Sequence, residues 1–127
     1  MSGNKGLVDS NILIYLSNEL LEISDLFEKY DELLISRITH MEVLGYNFTS
    51  EEDEEWVKRL ISKFQILEID HQIGEMTIGI RKKKKIKLPD AIILATAKFN
   101  KCELVTANEK DFQGIDAGVV IFNPMSK

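Results

Sequence analysis

Short apolar runs of strand length alternate with helical patterns along nearly the whole chain, and that alternation restricts the fold more than any other feature. The runs are Gly6 to Val8, Leu33 to Ser36, Gln65 to Ile69, Glu103 to Thr106 and Val119 to Phe122. Between them, Asn11 to Leu16 reads as a short helix behind Asp9 and Ser10. Glu19 to Tyr30 continues with Leu20, Ile23, Leu26, Phe27 and Tyr30 at helical spacing. Thr49 and Glu52 form a capping box before a helix carrying Trp56, Val57, Leu60 and Ile61, with the acidic run EEDEE at its start. Another helix starts near Asp70 and runs into a lysine cluster, and Pro89 suits the first turn of the next, where its missing N–H breaks no helical bond. Such alternation favours a parallel sheet with right-handed crossovers and helices on both faces. The expected fold is α/β, a three-layer α/β/α sandwich with a central parallel sheet. A single domain, 1–127, suits a chain of 127 residues with 44% apolar composition.

Acidic or amide residues recur where strands hand over to helices. Asp9 closes GLVD, Glu42 follows LLIS within SRITHMEVLGY, Asp90 sits in KLPDAIILATA, and Asn108 with Asp111 follows ELVT. In an open parallel sheet all strands point their carboxyl ends to one edge, where ligand sites form. These distant residues are therefore expected to converge. A convergent carboxylate cluster repels itself and suits a hard cation, Mg²⁺ or Mn²⁺, held through oxygen. Taken singly, Asp9 and Asp90 also read as helix-capping or dipole-facing residues, Glu42 as a solvated side chain, and Asn108 and Asp111 as turn residues. As a set they read as a site. Ser10, Thr39 and Thr106 bring hydroxyls close to it, to orient water or to cap backbone groups.

Other chemistries find little support. Cys102 is the only cysteine, so neither an internal disulfide nor a thiolate zinc site can form, and it reads as a small buried side chain. There is no GxxxxGK(S/T) phosphate loop and no GxSxG elbow. His40 and His71 make no two-histidine helical motif, and His40 reads as a surface or hydrogen-bonded residue. No apolar stretch reaches membrane-spanning length and the N-terminus MSGNKG lacks a signal-peptide profile, so a soluble, cytoplasmic protein is expected.

The formal net charge is −5, which alone disfavours a polyanionic partner. The distribution says more. Arg81, Lys82, Lys83, Lys84, Lys85 and Lys87 hold six of the 16 basic residues, leaving the rest of the chain strongly acidic. This run has two readings: a solvated helix end whose lysines meet the dipole, or a guide for phosphates toward Asp90. Carboxylate pairs serve either sugar hydrolysis or divalent cations acting at phosphorus, and the basic run favours phosphorus.

At these residues the chain resembles the PIN-domain ribonucleases, especially the VapC-type toxins of toxin–antitoxin pairs. VDSNILIYL is similar to that family's opening strand and acidic motif, THMEVLG to its second, IKLPDAIILATA to its third and LVTANEKDF to its fourth. The four motifs in order span nearly the whole chain. The resemblance implies a PIN-like fold and Mg²⁺- or Mn²⁺-dependent endonucleolytic cleavage of RNA, leaving a 5′-phosphate and a 3′-hydroxyl. It places metal-holding and catalytic roles on Asp9, Glu42 and Asp90, with Asn108 or Asp111 as the fourth member, and phosphate binding on Lys82, Lys83, Lys84 and Lys85. It also implies a cognate antitoxin and a homodimer. The apolar positions from Leu20 to Tyr30 would offer a groove, and a basic antitoxin side chain among the carboxylates would compete with metal. Two rivals stand beside this reading. One is a PIN-like module that binds metal and partner without turnover, which the neutral Asn108 favours. The other is a phosphoacceptor receiver domain, opposed by the single Asp in LVDSN and by the absence of a late lysine beside FNP.

Overall fold

The computed structural model describes residues 4–116 and 118–126. Five strands, β1 (Lys5–Val8), β2 (Glu32–Ser36), β3 (Gln65–Leu67), β4 (Glu103–Val105) and β5 (Ile121–Phe122), form one sheet in the order β3-β2-β1-β4-β5. Every pairing is parallel. Seven helices connect and cover the strands among the described residues: α1 (Ser10–Ser17), α2 (Ile23–Lys29), α3 (Arg37–Leu44), α4 (Glu51–Ile61), α5 (His71–Lys83), α6 (Leu88–Phe99) and α7 (Glu109–Phe112).

Side-chain alternation along the strands divides the core in two. Leu7 pairs in register with Leu34 on one side and Leu104 on the other, and all three enter the layer built by Ile93, Leu94 and Ala97 of α6 and Phe112 of α7. Their chain neighbours Val8, Ile35 and Val105 point the opposite way, onto Ile12, Leu13 and Leu16 of α1, Leu26 of α2 and Leu60 of α4. The expected three-layer α/β/α sandwich is thus present, because strands buried on both faces need helices on both. Fully burying each such aliphatic side chain contributes about 1.5–3 kcal/mol before chain entropy is counted. The sheet centre admits little extra volume: a Cβ on Gly6 would lie 2.9 Å from Cδ2 of Tyr30. None of the described helices is long and apolar enough to cross a membrane.

Several boundaries differ from the sequence expectation. α2 begins at Ile23 rather than Glu19, because Glu19 takes a left-handed φ of 60° and Leu20 N–H closes α1 by bonding Tyr15 O at 2.9 Å. Ser50, not Thr49, caps α4; its Oγ accepts from Asp53 N at 3.1 Å, while the Thr49 hydroxyl donates to the Asp53 carboxylate at 3.3 Å. β3 stops at Leu67 because Glu68 turns to pair with Arg37 and Asp70 caps α5 through Ile73 N. β5 keeps only Ile121 and Phe122 of its run, although Val119 is buried. These changes leave the strand order and the position of the carboxyl edge intact.

Candidate acidic site at the sheet edge

Asp9 leaves β1 directly into α1 and is only 4% exposed. Asp9 is the N-cap of α1, and its Oδ1 accepts from the first helical N–H, Ser10 N, at 2.8 Å. Its Oδ2 accepts from Thr106 Oγ1 at 2.8 Å and from Asn11 Nδ2 at 3.1 Å. Parallel pairing of Val8 with Val105 brings the ends of β1 and β4 side by side, which is why Thr106 reaches Asp9. Asn11 ties the two chain segments further, its Oδ1 accepting from Ala107 N at 3.0 Å. Thr106 Oγ1 in turn accepts from Asn108 N at 3.0 Å.

Around this fixed carboxylate stand three others. Glu42, on α3, has its carboxyl held above the usual range by partial burial first, then by the charges of Asp9 and Asp90, against a hydrogen bond from Ser10. Asp90, in the first turn of α6 behind Pro89, is also pushed up, by burial first and then by Asp9 and Asp111, with Lys87 opposing. Electrostatics therefore link Asp9, Glu42, Asp90 and Asp111 into one cluster, as expected for residues past the carboxyl ends of neighbouring strands.

Asn108 behaves differently. It is the N-cap of α7, exposed, and its side chain makes no capping bond. Of the two fourth-position candidates, Asp111 is the one whose charge acts on Asp90.

The donor set is entirely oxygen. As placed, no three Asp, Glu, His or Cys side chains among the described residues stand close enough to ligate a single ion. The set nevertheless suits a hard divalent cation, since a positive charge would offset both the burial and the mutual repulsion that raise Glu42 and Asp90. Thr39 is a separate feature of this edge. One helical turn before Glu42 its Oγ1 is buried without a partner among the described residues, although buried hydroxyls normally bond.

The remaining candidates fall apart from the cluster. His40 Nδ1 lies 3.2 Å from Arg37 Nη1, and Arg37 pairs with Glu68, so His40 belongs to a polar group past β2 and β3. Cys102 is buried, and desolvation raises its thiol pKa, the opposite of what a nucleophile needs. Of the lysine run, Lys82, Lys84 and Lys85 line one groove with Arg81, whereas Lys83 acts on Asp116 across from α6.

An apolar groove of 560 Å³ opens beside the acidic cluster. Ser10 and Glu42 stand at its start, and Ile14, Tyr46, Phe48 and Trp56 give it an apolar wall. A second hollow of 370 Å³ shares Trp56 and runs to Leu21 and Ile23. The groove thus lies between α1, α3 and α4 and is lined by no residue of the Leu20 to Tyr30 segment; only the second hollow reaches that segment, at Leu21, Glu22 and Ile23. Leu26 and Tyr30 are core residues at 1% exposure.

Sequence reasoning missed Asn11. Its only local signal is an amide two residues after Asp9, and its importance depends on β4 being the neighbour of β1.

An open parallel sheet that gathers four carboxylates at its carboxyl edge, with the deepest one capping the helix after β1, defines a class of acidic-site α/β domains. Residues 6–118 match the family model of the PIN domain, and the chain belongs to that family. It is 30% identical to ribonuclease VapC2 of Methanocaldococcus jannaschii, over 91% of this chain and 92% of that one. It is similar to a chain of a toxin–antitoxin complex from Klebsiella pneumoniae, with 38% identity, a TM-score of 0.80 and coverage of 96% and 99% of the two chains. A chain of DNA-bound VapBC from Salmonella typhimurium follows at 26% identity, TM-score 0.81, and 94% and 97% coverage.

Proposed function

We propose that this chain is an endoribonuclease, the toxin of a toxin–antitoxin pair, which hydrolyses RNA phosphodiesters with the help of Mg²⁺ or Mn²⁺. The observation that carries the reading is the carboxylate cluster of Asp9, Glu42 and Asp90 at the sheet edge of a PIN domain. The ribonuclease name of the Methanocaldococcus relative and the toxin–antitoxin assembly of the Klebsiella protein support it.

Asp9, Glu42 and Asp90 would hold the cation, with Asn108 or Asp111 as the fourth member; the charge of Asp111 reaches Asp90. A bound divalent ion lowers the pKa of a water and neutralises nonbridging phosphate oxygens. The chain's own residues prepare the place. Thr106, Asn11 and the Ser10 N–H fix the Asp9 carboxylate at one orientation. Burial first, and the neighbouring carboxylates after it, favour the protonated forms of Glu42 and Asp90, so a cation that offsets their charge favours the ionised forms that would hold it.

The apolar groove is the surface for the antitoxin. Its acidic members Glu42 and Asp53 suit a segment that places apolar side chains against Trp56, Tyr46 and Phe48 and a basic one at the Glu42 end. That basic group would neutralise the carboxylates in place of the cation and silence the site.

The test is cleavage of total cellular RNA by antitoxin-free protein in Mg²⁺ or Mn²⁺, beside Asp90→Asn and a chelator control. Discrete cleavage lost in both controls is expected. A folded protein that binds Mn²⁺ and leaves every RNA intact would instead be the binding module that the neutral Asn108 also fits.

A further inference from the structure

The cations of this chain are sorted by the fold. Arg81, Lys82 and Lys83 lie in the last turn of α5, Lys84 is its C-cap, and Lys85 and Ile86 lead into α6. The connecting loop folds back on α5, with Arg81 Nε donating to Ile86 O at 3.3 Å. Between helix and loop lies an open groove of 450 Å³, walled by Arg81, Lys82, Lys84 and Lys85 and floored by Ile78, Ile86 and Leu88. Ile78 and Leu88 are about half exposed, at 50% and 48%. Lys83, one position along the helix, is absent from this wall. The groove reaches the acidic cluster through the first turn of α6: Leu88 lies on its floor, and Lys87 and Asp90 flank Leu88 and Pro89. On the other side of the cluster, the apolar groove carries Glu42 and Asp53, and the start of α4 adds Glu51, Glu52, Asp53 and Glu54.

We infer that the groove between α5 and the loop into α6 is a one-sided subsite for an unpaired RNA strand beside the scissile bond. Arg81, Lys82, Lys84 and Lys85 hold its phosphates, and Lys83 stands outside it. The inference rests on the ribonuclease reading and adds the direction in which the substrate runs. A polyanion finds cations on the α5–α6 side and carboxylates on the α1–α3–α4 side, so the strand is carried past Asp90 and Lys87 and kept off the apolar groove. Aliphatic side chains between the cations accept ribose and base faces, which an unpaired strand offers and a duplex hides. The expectation that all of Lys82 to Lys85 bind RNA is thereby narrowed: Lys83 leaves the set and Arg81 joins it.

The experiment is fluorescence anisotropy of the full antitoxin-free chain with a labelled, unstructured oligoribonucleotide of about 10 nucleotides, in chelator, over a salt series. Arg81→Gln, Lys82→Gln, Lys84→Gln and Lys85→Gln should each weaken binding and reduce the slope of log K against log salt by about 0.7 for each phosphate that is no longer neutralised. Lys83→Gln should leave affinity and slope at the parent values, and thermal melts check that each variant is folded. Lys83→Gln acting as strongly as its neighbours, or slopes indifferent to all four groove variants, overturns the inference. So does equally tight binding of a fully paired duplex of the same length. Cleavage of total RNA is scored in parallel to separate the two readings. Cleavage that responds to Asp90→Asn, together with indifferent slopes, removes the groove and leaves the ribonuclease standing; neither binding nor cleavage removes both.

Discussion

Four threonines are buried, and their hydroxyls have different fates, so a Thr→Val series tests what holds the acidic edge together. Thr106 Oγ1 donates to the Asp9 carboxylate at 2.8 Å and accepts from Asn108 N at 3.0 Å. Thr77 and Thr96 each donate at 2.7 Å to a carbonyl one turn back in their own helix, Ile73 O and Ile92 O. Thr39 has no partner among the described residues. Valine keeps the shape and removes only the hydroxyl. At Thr106 the loss is a hydrogen bond to a charged acceptor, about 1.5–3 kcal/mol, with an added share for the stranded Asn108 N–H. Asp9 keeps the Ser10 and Asn11 donors, so the charge is not orphaned and the total should stay near 3 kcal/mol. At Thr77 and Thr96 the carbonyl remains inside a helix, and about 0.5–1 kcal/mol is expected. At Thr39 an unsatisfied buried hydroxyl disappears, and the change should be neutral or stabilising by up to about 1 kcal/mol. For a chain of this size 1 kcal/mol moves Tm by about 4 °C. Scanning calorimetry in chelator should therefore rank Thr39→Val at or above the parent, Thr77→Val and Thr96→Val a few degrees below, and Thr106→Val lowest by about 10 °C. If Thr106→Val melts with Thr96→Val, the Asp9 network does not hold the edge and the reasoning fails.

Gly6→Ala should destabilise by about 1–3 kcal/mol in urea titration, since the new methyl meets a Tyr30 ring that its hydroxyl holds in place by donating to Glu103 at 2.8 Å. Asp90→Asn should abolish cleavage yet raise Tm at neutral pH in chelator. Its folded pKa is raised from 3.8, so ionisation there opposes folding; the gain over the parent should shrink as the pH falls through the raised value and vanish below 3.8. Asp116→Asn should behave in the opposite sense. Lys98 holds that carboxyl below 3.8, so its contribution, about 0.5–1 kcal/mol for a surface pair, is present above the ordinary value and is lost in more acid solution. The acid limb of the cleavage profile should lie above the ordinary carboxylate range, because Glu42 and Asp90 must both be ionised; an acid limb at the ordinary Asp and Glu values would contradict the cluster.

The sheet was legible because each strand is a short apolar run between helical patterns, and the acidic residues stood out because Asp9, Glu42 and Asp111 follow such runs and Asp90 opens a helix behind Pro89. What escaped depends on geometry that no local pattern encodes. Thr49 with Glu52 and Ser50 with Asp53 are two capping boxes shifted by one residue, and only the backbone of the turn selects Ser50. Leu20 continues the helical spacing of α2, yet the left-handed Glu19 ends α1 there and delays the next helix to Ile23. Four consecutive lysines look equivalent until the end of α5 places Lys82, Lys84 and Lys85 along the groove and leaves Lys83 out of it. Asn11 gains its role only when β4 lies beside β1, a long-range fact.

A site of mutually repelling carboxylates works against its own fold, and the arrangement of donors shows how the conflict is contained. The deepest carboxylate, Asp9, is the one with three hydrogen-bond donors, drawn from α1 and from the residue after β4. The desolvation of that charge is thus met within the protein. Glu42 and Asp90 stand nearer the rim, and their raised pKa values record partial burial first and then the repulsion that remains. Asp9 is consequently the fixed member and the other two the adjustable ones, able to close on a cation that offsets their charge. A divalent ion should then stabilise the parent strongly, stabilise Asp90→Asn less, and shift Thr106→Val upward without closing its gap to the parent, since neutralising the cluster does not restore the missing donor to Asp9. Equal Mn²⁺-induced Tm shifts in the parent and Asp90→Asn would place the ion away from this edge and refute the division of labour.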